Sequence, residues 1–306
     1  MQDPTQLYRF EPDLDARTLG PGVLLLGLGG FIDAGNTSAI LVKHLLDASN
    51  ARVVASFDVD QLLDYRGRRP TMVFEENHWV SYDDPALLLY QLTDRDGQTY
   101  YLLTGPEPDY QWERVIEAVR GLMQRLGITL LVNAHGIPMA VPHTRPIGMT
   151  AHATDARLVG EHSPVFGRVQ VPAGLAALLE LRLGESGKQA LGFAVHVPHY
   201  LAQADFHDGA LSALNAIVDA TGLNLPNDAL VQAAAESRAQ IDAEVAGNPE
   251  IAGAVNALER QYDSFIEAAD KPNLLTPQAN PIPSADELAA DVEEFLKSVS
   301  DEPDAG

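Results

Sequence analysis

An unbroken apolar run, Val23-Leu24-Leu25-Leu26, leads directly into Gly27-Leu28-Gly29-Gly30-Phe31-Ile32-Asp33-Ala34-Gly35-Asn36. A short solid run of this kind is covered on both faces, and glycines followed by helical spacing make it a buried parallel strand entering a helix. It is the first strand, turn and helix of an α/β sheet. Asn36-Thr37-Ser38 supplies capping residues, and Ile40, Leu41, Leu45 and Leu46 share one helical face that ends near Ala48-Ser49-Asn50.

The glycine turn is not a nucleotide cradle of a known pattern. Ile32 stands where the dinucleotide fingerprint needs a small residue, and no Lys-Ser/Thr pair follows Gly35. The glycines instead permit positive φ and close backbone approach. Gly29, Gly30, Asp33 and Asn36 are candidate ligand or partner contacts, because open α/β sheets bind at strand carboxyl ends.

Residues 1–20, polar with Pro4, Pro12 and Gly20, read as an extended lead-in on the surface. Arg52 to Phe57 reads as a second parallel strand, with Asp58 and Asp60 at its carboxyl end. Met72 to Phe74, Trp79-Val80, Leu87 to Leu92 and Tyr100 to Leu103 read as antiparallel strands added to the same sheet, with Arg95-Asp96-Gly97-Gln98 as a hairpin turn. Trp112 to Leu126 is an amphipathic helix, and Ile128 to Val132 a buried strand that empties into a proline-rich loop holding His135, His143 and Arg145. Ile147 to Ala153, Gly174 to Leu183 and Leu191 to Val197 continue as strand, helix and strand. The alternation defines one three-layer α/β domain over residues 1–225.

Beyond it the texture turns alanine-rich. Asn227 to Ala246 and Pro249 to Ala269 form a helical hairpin within 226–272 and suggest self-association through helices. Residues 273–306 read as an acidic, proline-containing tail with a linker at Leu274 to Ser284, a short helix at Ala285 to Ser298 and a disordered end.

Charge and composition narrow the function. A net charge of -23 repels nucleic acid and anionic lipid, and no apolar run approaches the roughly 20 residues of a membrane span. The first residues lack a secretory pattern, so a cytoplasmic location is expected. With no cysteine there is no disulfide, thiolate ligand or cysteine nucleophile. Ser163 and Ser186 lack a nucleophile elbow, and the histidines at 135, 143, 152, 196 and 199 lack zincin spacing. No catalytic residue, metal or cofactor is expected.

The densest chemistry is Asp58-Val59-Asp60-Gln61-Leu62-Leu63-Asp64-Tyr65-Arg66-Gly67-Arg68-Arg69-Pro70. Arg–carboxylate forks make it a rigid loop, or a contact patch in which Tyr65, Arg66 and Arg68 meet a partner.

These runs resemble the proteasome assembly chaperone family, second-subunit type, in particular its actinobacterial members of uncharacterised role. The likeness lies in Leu25 to Asn36, in Phe57-Asp58-x-Asp60 with Asp64-Tyr65-Arg66-x-Arg68-Arg69-Pro70, and in Gly136-Ile137-Pro138 with His143-Thr144-Arg145-Pro146. It implies a phosphorylase/hydrolase-like three-layer α/β/α sandwich with a C-terminal helical extension, and a family role in chaperoning proteasome subunits. No phosphorylase catalytic residue is matched. The ending Pro303-Asp304-Ala305-Gly306 departs from the hydrophobic-Tyr-x tail with which proteasome chaperones and activators often dock. The expectation is a non-enzymatic, homo-oligomeric protein-binding module with proteasome subunits as partners. The alternative is a small-molecule binder or phosphorylase/hydrolase-like enzyme using the strand-end crevice.

Overall fold

The computed structural model describes residues 2–14, 19–160 and 166–270. Ten strands are described: β1 (Tyr8–Phe10), β2 (Val23–Gly29), β3 (Arg52–Phe57), β4 (Met72–Glu75), β5 (His78–Tyr82), β6 (Leu88–Thr93), β7 (Thr99–Pro106), β8 (Leu130–Met139), β9 (Met149–Ala153) and β10 (Gln189–Pro198). The helices are α1 (Thr37–Asp47), α2 (Trp112–Leu126), α3 (Ala156–Val159), α4 (Leu175–Glu185), α5 (His207–Thr221), α6 (Asp228–Gly247) and α7 (Pro249–Asp270).

Eight strands form one sheet in the order β1-β3-β6-β7-β2-β8-β10-β9. Its centre, β7-β2-β8-β10, is parallel, and the strands outside it pair antiparallel. Side chains alternate across the sheet and so feed two cores. Leu24, Leu26, Tyr101, Leu103 and Leu131 pack against α2 and α4, while Leu25, Tyr100, Leu102 and Val132 pack against α1 and α5. The protein is a three-layer α/β/α sandwich. Helix α2 shows why the layers hold: Val115, Ile116, Val119, Leu122, Met123 and Leu126 are all buried, each large side chain stabilising by about 1.5–3 kcal/mol.

Four expectations are corrected. The strand read as Ile128 to Val132 runs on as Leu130–Met139, paired with β10 throughout, so His135 lies in β8 and not in a proline-rich loop. The N-terminal lead-in is not merely extended surface chain. Pro4–Leu7 forms a single helical turn capped by Asp3, Leu7 is fully buried, and β1 adds an edge strand through Tyr8↔Phe57. Strand β3 is not a parallel neighbour of β2; it lies between β1 and β6, antiparallel to both. Its apolar run specifies burial but not the strand beside it. Finally, β4 and β5 form a separate two-stranded sheet, and β7, antiparallel to β6, is parallel to β2.

Helices α6 and α7 lie where the alanine-rich pattern placed them, with Leu230, Ala234 and Val255 buried. The linker at 274–284, the acidic helix at 285–298 and the end of the chain lie outside the described residues.

Candidate functional site

The turn after β2 is closed by protein groups. Asp33, not Asn36, caps α1: its carboxylate accepts from the amides of Ser38 at 2.8 Å and Ala39 at 3.1 Å. Asn36 is in the left-handed region at φ 50° and turns its amide onto Asp205 at 2.6 Å. Asp33 also accepts from the Gly136 amide at 3.1 Å, fastening β8 to the turn. A Cβ at Gly136 would lie 1.9 Å from the Ala34 carbonyl oxygen, so only glycine permits this approach. Gly30 N donates to Leu28 O and Gly35 N to Ala202 O, engaging amides that a phosphate would need.

Gly29 accepts from the Glu107 amide, which brings the end of β7 beside the turn. The buried Glu107 carboxylate takes the first amide of α4, Leu175 N, at 2.5 Å. A negative charge there satisfies an orphan donor and complements the helix dipole. The loop at 58–70 reaches the same place: Arg68 bonds the Glu107 carbonyl at 2.9 Å and the Asp109 carboxylate at 2.7 Å. Within it, Gln61 donates to Asp58 and the Tyr65 hydroxyl to Asp60, both at 2.7 Å; the bond to Asp60 pushes the Tyr65 hydroxyl up to about 12. Arg66 is exposed.

The loop after β8 holds the helical hairpin. Tyr200 Oη accepts from the His143 amide at 2.9 Å and is hydrogen-bonded to His143 Nδ1 at 2.7 Å. His143 Nε2 lies 3.1 Å from the Asp242 carboxylate of α6. Thr144 donates to Glu259 of α7, and Arg145 forks onto Asp263 at 2.8 and 2.7 Å with a further bond to Glu259 at 3.2 Å. Arg145 thereby holds the Asp263 carboxyl below the usual carboxylate range. Asp208 of α5 pairs with Arg238 of α6 as a second fastening. Between these bonds, α5 and residues 143–147, a cleft of about 410 Å³ opens.

The five histidines divide into separate environments. His135 lies on the α2/α4 side of β8, with burial and then the neighbouring His152 charge lowering its pKa. His152 bonds the Glu180 carboxylate at 2.9 Å, its ring seated where a Cβ on Gly192 would intrude to 2.1 Å. His196 contacts Thr150 at 2.9 Å, and burial lowers its pKa. His143 and His199 flank Tyr200. Among the described residues no group of three His, Asp or Glu side chains could hold a metal ion.

The candidate residues thus do not form one site. Gly29, Gly30, Asp58, Asp60, Tyr65 and Arg68 belong with the β7 end, while Asp33 and Asn36 join β8 and the 202–206 segment. His143 and Arg145 face α6 and α7, apart from His135 on the other strand face. Sequence reasoning missed Glu107, the Asp208–Arg238 pair, and Asp242, Glu259 and Asp263. It also missed Arg114, a buried guanidinium held by Gln2, Asp3 O, Gln61 and Gln111. The available signal was Glu259 and Asp263, four residues apart on one helix face and complementary to Arg145.

Together these features define a class of α/β/α proteins whose strand-end loops grip a helical hairpin. The PAC2 family pattern matches residues 27–245, and the chain belongs to the PAC2 family. It is similar to the structure of Mycobacterium tuberculosis protein Rv2714, of unknown function, with 44% identity, coverage of 87% of this chain and 91% of that one, and a TM-score of 0.81. A Corynebacterium glutamicum protein of unknown function shares 36% identity over 86% and 99% of the two chains, with a TM-score of 0.80. The M. tuberculosis proteasome-assembly chaperone homologue Rv2125, at 22% identity, shares the fold over 76% of this chain and 99% of its own, with a TM-score of 0.70. No curated protein matches the chain. No helix among the described residues is long and apolar enough to cross a membrane.

Proposed function

We propose that this protein is a non-enzymatic, oligomeric binding module that assists assembly of a proteasome-like complex. The observation that carries the reading is the PAC2 match over residues 27–245, a span that takes in the sheet from the end of β2 onward and most of α6. It is supported by the commitment of the strand-end polar groups to protein neighbours: Asp33 to α1 and β8, Arg68 to Asp109, His143 to Asp242, and Arg145 to Asp263. The loops act as a rigid frame that presents the helical hairpin and the flanking loops.

The test is capture at physiological salt, with this chain immobilised and purified proteasome α-type and β-type subunits of its own organism in solution. Saturable retention of one subunit type is expected. No retention of either, alone or as assembly intermediates, overturns the reading. The cleft of about 410 Å³ favours a second reading, a small-molecule site between residues 143–147 and α5. Its support is thermal stabilisation by a metabolite that is lost in Ser212→Leu, a variant that fills the cleft from α5; a metabolite panel without any stabilisation removes it.

A further inference from the structure

A sheet face covered by helices carries apolar side chains, and on the α2/α4 side Leu24, Leu26 and Leu131 follow that rule. Further along β8, β10 and β9 it breaks. Register sets Asn133 beside Gly192 and Gly192 beside His152, one row across three strands. His135, Ala194 and Thr150 make the next row, and His196 faces the same way beyond it. Leu26 pairs with Asn133, which places all of these on the side of α2 and α4.

Gly192 shapes the first row. The His152 ring occupies the place of its missing Cβ, so the ring lies over β10 and spans part of the gap to Asn133. Glu180 of α4 holds that ring through Nδ1 at 2.9 Å. An ionised carboxylate only accepts, so Nδ1 carries the hydrogen and Nε2 of the neutral ring is an acceptor. Asn133 is 5% exposed, yet its carboxamide has no hydrogen-bond partner among the described residues. The same holds for the His135 ring and for His152 Nε2. A buried amide left in this state costs about 1–3 kcal/mol and calls for a partner that the protein does not supply. The row is open to one, since His135 is half-buried and the His152 side chain 39% exposed.

We infer that this row binds a small primary carboxamide, held between Asn133 and His152. Asp33 and Glu180 are the carboxylates whose charge acts on His135, and no lysine or arginine acts there to neutralise an anion. A protonated amine has only donors and leaves the Asn133 NH2 without an acceptor. A carboxamide matches both ends. Its oxygen accepts from Asn133, while its NH2 gives one hydrogen to the Asn133 oxygen and the other to His152 Nε2. Asn133 and His152 stand two strands apart, about 10 Å between backbones, which the two side chains and one planar group fill. The Phe166 ring, 6.4 Å from that of His196, adds an apolar wall suited to an aromatic amide.

The site lies across the sheet from the cleft between residues 143–147 and α5. It also stands apart from the proteasome reading, since subunit capture and amide binding are measured separately.

Benzamide, benzoate and benzylamine, of one shape and three charges, are the probes on the whole chain. Saturable binding of benzamide in roughly the millimolar range is expected, read by calorimetry and by the nitrogen resonances of the His152 ring. Benzoate and benzylamine bind at least about tenfold more weakly. Asn133→Leu, which keeps the size of the side chain without its polar atoms, and His152→Phe each weaken benzamide at least about tenfold. Ser212→Leu, which fills the cleft on the other face, leaves it unaltered. No benzamide binding up to about 20 mM overturns the inference. So does an anion or amine that binds as tightly as the amide, or an acetylated glutamine peptide that binds more tightly, which assigns the row to a protein side chain. Binding that survives both row variants, or that is lost in Ser212→Leu, places the amide elsewhere and is equally fatal. Should Asn133→Leu not fold, the unaltered protein decides: benzamide binding that leaves the His152 Nε2 resonance unmoved refutes the site.

Discussion

Arg145 grips Asp263 with two arms of its guanidinium, Nε on Oδ1 at 2.8 Å and Nη2 on Oδ2 at 2.7 Å. The fork ties the loop following β8 to a helix more than a hundred residues further along the chain. Glu259, one helical turn earlier, takes both Thr144 and the remaining arm of Arg145. The hairpin is therefore held by a short stretch of loop, and its orientation depends on groups with directional bonds as well as on apolar contact.

Replacing Arg145 with lysine keeps the charge and removes the fork, because an ammonium has no planar pair of donors. Amide exchange in α7 is expected to rise severalfold while β8 and β10 keep their protection, as read by native-state hydrogen exchange. The acid dependence has a definite sign. Asp263 is held below its ordinary value, so its contribution is present above the unfolded carboxylate pKa, about 3.9, and is lost as pH falls through the lower folded value. Unchanged exchange in α7 for the lysine variant would show that the fork does not hold the helix.

Elements whose apolar spacing matches their period were legible in the sequence: α2 runs from Trp112 to Leu126 as read. Strand neighbours were not, since Arg52 to Phe57 looks the same beside β2 or between β1 and β6; pairing is decided by distant chain. The β4–β5 hairpin misled for a related reason. Met72, Phe74 and Trp79 carry the composition of a core strand, yet they are exposed, and composition alone does not say which surface covers a strand. The candidate loops were found, but their bonds to Asp242, Glu259 and Asp263 join segments about a hundred residues apart, beyond any local pattern.

Two glycines on neighbouring strands separate backbone clashes from side-chain clashes. Gly136→Ala drives a Cβ into the Ala34 carbonyl at 1.9 Å and the Thr37 hydroxyl at 2.6 Å, neither of which can swing away. A loss of about 3 kcal/mol or more is expected. At Gly192→Ala the three atoms nearest the new Cβ all belong to the His152 ring, which can rotate out and give up Glu180. About 1 kcal/mol is expected there. Urea titrations of both variants check the order, and equal losses would contradict it.

Glu107 caps a helix from a distant strand end. Glu107→Ala leaves Leu175 N without its buried acceptor and is expected to cost about 1–2 kcal/mol. Glu107→Gln keeps an acceptor oxygen but loses the charge at the helix N-terminus, a smaller loss of about 0.5 kcal/mol. Thermal unfolding of the two variants resolves the difference, and a glutamine variant as damaged as the alanine one would assign the effect to charge alone.

The buried histidines give the fold a dependence on mild acid. Burial lowers the pKa of His135, reinforced by the neighbouring His152 charge, and burial lowers that of His196. For a histidine depressed on folding, the unfolded chain binds the proton first, so stability is full above the unfolded value near 6.5 and declines as pH falls below it. Urea midpoints are therefore expected to drop between pH 7.5 and pH 5.5. His135→Asn removes one of the two titrations while keeping a polar side chain on the strand, and it should flatten the decline even if it lowers stability at pH 7.5. A variant whose midpoint falls as steeply as that of the unaltered protein would show that protonation of His135 is not what weakens the fold.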